Sequence, residues 1–164
     1  MIKMNEKMRM DLKGLDRDGE QLPFALSDLA ARGVIELAGC FFLGALFDKK
    51  TNAVEADFWD RTGWECFVNS IHVDDFAASD YLLNACLFVR SVFREWARKE
   101  GVGTLQAIIS NDEYGSVVKF HLLRDGESWV GRDLEGYEES ILLVDSRENH
   151  ECMDSFFAEL HISA

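Results

Sequence analysis

DYLLNACLFVRSVFREWARKEG, residues 80–101, is the stretch from which the fold can be read. Leu82, Cys86, Val89, Phe93, Trp96 and Ala97 recur at the i, i+3, i+4, i+7 spacing of one helical face. Leu83, Ala85, Leu87, Phe88 and Val92 widen that face beyond a stripe, while Arg90, Arg94, Glu95, Arg98 and Lys99 wet only the second half. The pattern predicts a helix over about residues 76–100, capped by Asp75 or Ser79 and stopped at Gly101. A helix this apolar needs a sheet to lie on.

Upstream, residues 1–13 space Met4, Met8 and Leu12 four apart, as a short helix or a loose arm would. DRDGE at 16–20 reads as a turn, 21–26 around Pro23 as an edge strand, and 27–33 as one helical turn closed by Gly33. A long buried strand follows over 37–47, with Gly39 and Gly44 marking bulges or close packing. After the turn DKKTN come strands over 53–59 and 64–73, the latter with Trp64, Cys66 and Val68 on one face and Phe67, Ile71 and Val73 on the other.

Downstream of Gly101 strands are expected over 104–110, 117–124, 128–132 and 141–144, separated by NDEYG, by the hairpin signal Asp125-Gly126 and by DLEGYEES. Ser146 then caps a C-terminal helix over about 147–160, striped by Cys152, Met153, Phe156, Phe157 and Leu160. Strands then helix, twice, predicts an α+β chain with a mainly antiparallel sheet, because helices segregated from hairpin-linked strands do not build parallel units.

At 164 residues, with a single Pro and no Ser- or Gly-rich linker, one domain over 1–164 is expected. Cys40, Cys66, Cys86 and Cys152 form no CxxC pair and sit in apolar patterns, which fits reduced thiols in a cytoplasm. MIKMNEKMRM lacks the apolar run of a signal peptide, and the apolar stretch 34–47 is too short and too interrupted for a bilayer.

The net charge of −13 is unevenly placed: residues 1–50 are balanced, 51–110 carry −4 and 111–164 carry −9. Such a field solubilises or attracts a basic partner, and it disfavours direct contact with nucleic acid, which needs clustered Lys and Arg.

Fragments that invite a chemistry each lack a part of it. Gly101 and Gly103 open a GxG in which Gln106 replaces the third glycine. DRDGEQ starts like a calcium loop, but Gln21 stands where that loop must turn on Gly and Ser27 where its bidentate Glu belongs. His150 and Cys152 point to different helix faces without a second ligand pair. Ser128 lacks the closing glycine of a nucleophile elbow, and His72, His121, His150 and His161 lie in no triad context. Paired carboxylates such as Asp74 with Asp75 and Glu138 with Glu139 arise readily in a chain with 30 acidic residues. The reading is therefore no enzyme, no cofactor and no metal.

What remains is a set of acidic loops carrying aromatic residues: Asp112 and Glu113 beside Tyr114; Asp125, Glu127 and Trp129; and Asp133, Glu135, Tyr137, Glu138 and Glu139. Carboxylates steer a basic protein while Tyr and Trp anchor it, so these ten positions other than Tyr114, with Tyr137 and Trp129 as the anchors, are the candidate partner-binding residues. Asp57, Trp59 and Asp60 offer a second such mixture.

The hairpin FHLLRDGESWVGRD, the acidic LEGYEES, the strand ILLVDS and the closing ENHECMDSFFAEL together resemble the small acidic immunity proteins of bacterial contact-dependent growth inhibition. The resemblance covers about a third of the chain. It implies a cytoplasmic protein that binds and blocks one cognate toxin, often a nuclease. Some proteins of that group are similar to the Whirly fold, whose two halves each run four strands into a helix. The alternatives kept open are an acidic mimic of nucleic acid, such as a phage inhibitor of a host nuclease or repressor, and an enzyme of unknown class.

Overall fold

The computed structural model describes residues 1–15, 21–47, 49, 52–99 and 102–147. Within residues 1–13 the chain forms both a strand and a helix, β1 (Ile2–Met4) and α1 (Glu6–Lys13), joined at Asn5, whose side chain caps α1 by accepting from Met8 N at 3.0 Å. Pro23 does not begin an edge strand. It stands at the start of α2 (Phe24–Ala31), where its fixed φ and missing N–H do no harm, and its carbonyl accepts the helix's early bond from Ser27.

The expected single strand over 37–47 is a hairpin: β2 (Val34–Leu37) pairs antiparallel with β3 (Cys40–Leu43), and the chain then winds through the short helix α3 (Gly44–Phe47). Leu37 faces Cys40 across two residues, Ala38 and Gly39, both at positive φ (53° and 75°), which is the mirror-image turn that matches strand twist. Residues 53–59 hold one helical turn, Glu55–Asp57, in place of a strand.

Residues 64–73 are likewise mostly helical. Asp60 accepts from Gly63 N at 2.7 Å and starts α4 (Arg61–Val68); only β4 (Ile71–His72) is extended. A turn at Val73–Asp75 leads to α5 (Tyr81–Trp96), shorter than the predicted 76–100 because Asp80 sits in the left-handed region (φ 54°) and resets the chain. Neither Asp75 nor Ser79 caps it: the Ser79 hydroxyl donates to the Asp80 carboxylate instead.

Beyond α5 the expected strands appear as β5 (Leu105–Asn111), β6 (Ser116–Leu122) and β7 (Ser140–Asp145). Residues 128–132 are not a strand. Gly126 turns the chain at φ 81°, but the segment 123–139 then crosses the sheet from one end to the other, with one helical turn at Leu134–Gly136. The DRDGE turn, the Gly101 stop and the C-terminal helix over about 147–160 lie outside the described residues. The Ser146 hydroxyl, expected to cap that helix, accepts from Leu105 N at 3.0 Å.

The fold is α+β, with an antiparallel five-stranded sheet ordered β1-β7-β5-β6-β4 and the separate hairpin β2-β3. The expected four-strand first half is therefore absent among the described residues: helices occupy much of it. Alternation along β5, β6 and β7 gives the sheet two buried faces. Ala107, Ile109, Val118, Phe120, Leu142 and Val144 join α1, α2 and α5 in the main core. Ile108, Ile141 and Leu143 pack on Cys66, Leu134, Val130 and Tyr137, so the crossing segment and α4 cover the other face. Among the described residues no helix is long and apolar enough to cross a membrane.

Candidate partner-binding surface

Asn111 pairs with Ser140 where β5 and β7 meet, so the loops flanking them open at one end of the sheet. There Asp112, Glu113 and Tyr114 face Glu138 and Glu139 across a shallow groove of about 600 Å³, floored by Asp11, Asn111 and Ser140. The floor is built of satisfied polar groups: the Asp11 carboxylate accepts from Asn111 Nδ2 at 3.0 Å and from Ser140 Oγ at 2.7 Å, and Ser116 Oγ donates to Asn111 Oδ1 at 2.6 Å. Asp112 holds its own turn by accepting from Tyr114 N and Gly115 N. The carboxylates of Glu113, Glu138 and Glu139 make no hydrogen bond among the described residues, and Tyr114 is 80% exposed above them. Charge without internal partners, beside an exposed aromatic ring, is what a steered and anchored contact requires.

The other expected contact residues have structural duties. Glu135 accepts from Glu6 N at 3.0 Å and so occupies the start of α1, and Asp133 accepts from Glu135 N. The Tyr137 hydroxyl accepts from Gly131 N at 2.8 Å, its ring half-buried against the second core. Asn5, almost wholly buried, donates to the Glu139 and Leu134 carbonyls and accepts from Ile141 N, while Lys7 donates to the Glu138 carbonyl, so β1 and α1 fasten the acidic loop.

Asp125, Glu127 and Trp129 are not in the groove. They follow β6, and Glu127 lies at the opposite end of the sheet, where it accepts from Thr62 N and Oγ1 at the start of α4. Trp129 is partly exposed, and the Lys119 ammonium sits 5.3 Å from its ring centre while donating to Ser70 Oγ at 2.7 Å. Burial lowers the Lys119 pKa from its ordinary value.

The strongest polar network was not singled out in the sequence. Glu65, fully buried, accepts from Phe41 N, Leu122 N and both terminal nitrogens of Arg124, at 2.7–2.8 Å. Arg124 also donates to the Gly39 carbonyl at 3.0 Å, and its hydrogen bonds to the Glu65 carboxylate raise its already high pKa. One helical turn later Asn69 accepts from Leu43 N and donates to the carbonyls of Phe41 and Phe120. The network joins hairpin, α4 and sheet. Its legible signal was a lone carboxylate in the apolar run Trp64 to Val68.

His121 is also buried, between Gln106 Oε1 at 3.1 Å and the Leu122 carbonyl at 3.0 Å, and burial holds its pKa below the usual imidazole value. His72 is exposed on β4. No group of three or more His, Cys, Asp or Glu among the described residues is arranged to hold a metal ion, so the groove carboxylates line a wall without converging on a point.

A family model described as the uncharacterized protein PM0498 family matches residues 3–157. The chain belongs to the PM0498 family. A relative described as uncharacterized protein PM0498, from Pasteurella multocida (strain Pm70), is 26% identical over 138 residues, covering 78% of this chain and 87% of the relative. No solved structure matches the chain. The PM0498 family match spans the whole described sheet, both helical layers and the groove.

Proposed function

We propose that this PM0498-family chain is a cytoplasmic, non-enzymatic immunity protein that binds a basic toxin domain through the acidic groove. The observation that supports this reading is the groove itself: Glu113, Glu138 and Glu139 present carboxylates unpaired among the described residues around exposed Tyr114, on a floor whose own polar groups are already satisfied. A cationic partner is drawn in by the net charge of −13, and Tyr114 supplies the buried contact that slows its departure.

The test is a binding time course with the protein that co-purifies from the native cells, at low and high salt. Replacing Glu113, Glu138 and Glu139 by Gln should slow association and flatten its salt dependence, because exposed charges act mainly on encounter. Tyr114→Ala should act on dissociation, at a cost of about 2 kcal/mol or more if the ring is a hot spot. Unchanged association rates in the triple variant would remove the groove from the interface. Displacement of several unrelated basic proteins from DNA or RNA would instead favour a nucleic-acid mimic.

A further inference from the structure

At the opposite end of the sheet from the groove, where Glu127 and Arg124 meet α4, a second surface is left uncovered by the described residues. Trp59 is fully exposed just before α4. Next to it the rings of Phe58 and Phe67 lie 5.4 Å apart, and Phe67 is 51% exposed although α4 buries most of its other large side chains. Phe58 packs on the small core of Cys40, Phe42, Trp64 and Val68. That same core opens as a recess of about 560 Å³ between Leu37, Phe47, Val54, Trp64 and Val68. Trp64 Nε1 is buried there without a hydrogen-bond partner among the described residues, a state native proteins rarely leave unrelieved.

Scattered exposed apolar side chains need no explanation, but an exposed Trp, an exposed Phe and an apolar recess over one core form a patch. Its rim is acidic: Glu55, Asp57 and Asp60 flank Trp59 along the chain, Asp57 accepting from Val54 N and Asp60 from Gly63 N, with Arg61 the neighbouring cation, 3.5 Å from Glu55. Trp is the ring that best attracts Lys or Arg, and carboxylates beside it add to that attraction.

We propose that this surface docks a cationic segment of another protein, with one apolar side chain entering the recess and Lys or Arg side chains meeting Trp59, Glu55 and Asp57. The surface is separate from the groove and stands whether or not the groove binds a toxin.

The experiment titrates the full-length, isotope-labelled chain with a synthetic amphipathic helix bearing one Arg face and one Leu face, at physiological salt, and follows the indole N–H signals. The Trp59 signal should move, and Trp59→Ala or Phe67→Ser should each weaken binding about tenfold, the loss expected of one hot-spot side chain. Trp59→Ala should melt like the parent, because its side chain is exposed to solvent on all sides. Tyr114→Ala should bind the peptide unchanged. The proposal is overturned if the shifts centre on Tyr114, if Trp59→Ala binds as tightly as the parent, or if a helix with Glu in place of Arg binds equally well. A dimer that forms without peptide and disappears in Trp59→Ala would make a second copy the occupant, and would overturn it too.

Discussion

Ala38 is the residue at which local preference and observed conformation disagree most plainly. An L side chain at φ 53° costs about 1 kcal/mol or more, yet the two-residue connection between Leu37 and Cys40 demands that region at both centres. Asn tolerates it better, and position 38 is exposed, so Ala38→Asn should raise stability by about 0.5–1 kcal/mol in urea melts. Loss of stability would mean that the turn is not formed as described. His121 is the second residue with a measurable consequence. Its folded pKa lies below the ordinary 6.5 because burial penalises the imidazolium, so the unfolded chain takes up the proton first. Its neutral form is therefore a source of acid lability: stability is full above about pH 6.5 and declines as pH falls toward the folded pKa. His121→Gln should flatten the stability profile between about pH 7 and 5, and an unchanged slope would assign the acid response to other groups.

At the scale of elements, α4 substitutes for a strand pairing. Glu65 and Asn69, one turn apart, satisfy the amides of Phe41 and Leu43 along β3, and Asn69 reaches across to Phe120 on β6. Glu65→Gln would remove the nearer of the two carboxylates that face the Arg124 guanidinium, Glu127 staying at 3.8 Å, and should cost about 3 kcal/mol. A loss below about 1 kcal/mol would show that water enters and compensates. Helix α5 is held differently, by shape: Phe93 meets Phe120 edge-on at 6.4 Å, and Trp96 meets Phe41 at 5.2 Å while its Nε1 donates to the Gly103 carbonyl at 3.2 Å. Phe93→Ala and Trp96→Ala should each destabilise by about 3–5 kcal/mol in urea melts, since large buried aromatics leave cavities that a packed core refills only in part. The periodicity of residues 80–101 made this helix legible. Nothing comparable marked α4, because Trp64, Cys66, Phe67 and Val68 satisfy a two-residue alternation as well as a helical one.

Across the whole molecule, burial decides the chemistry of the thiols. Cys40, Cys66 and Cys86 are buried thiols; burial pushes the Cys40 thiol up to about 11 and raises Cys66 further. All three should resist alkylation in the native protein and react at once in denaturant, and mass spectrometry should find no disulfide among them. Rapid native labelling of Cys66 would show that the crossing segment opens readily. The α+β class, α5, the strands β5 to β7 and the acidity of their loops were legible in the sequence, because each depends on a local period or on composition. The groove was legible only in part. Glu113, Glu138 and Glu139 stood out by charge, but Asp11 joins them because β1 pairs with β7 and carries α1 to the Asn111–Ser140 end. Glu127 and Trp129, equally acidic and aromatic in sequence, are kept out of the groove, Glu127 at the far end against Thr62 and Trp129 over Lys119, because the chain after Gly126 leaves the sheet edge and crosses its face. Local spacing determines what a segment can become and which side chains it can expose. Which loops share a surface, and whether an apolar run coils or extends, was decided by long-range strand register and by where buried polar groups such as Glu65 and Asn69 find their partners.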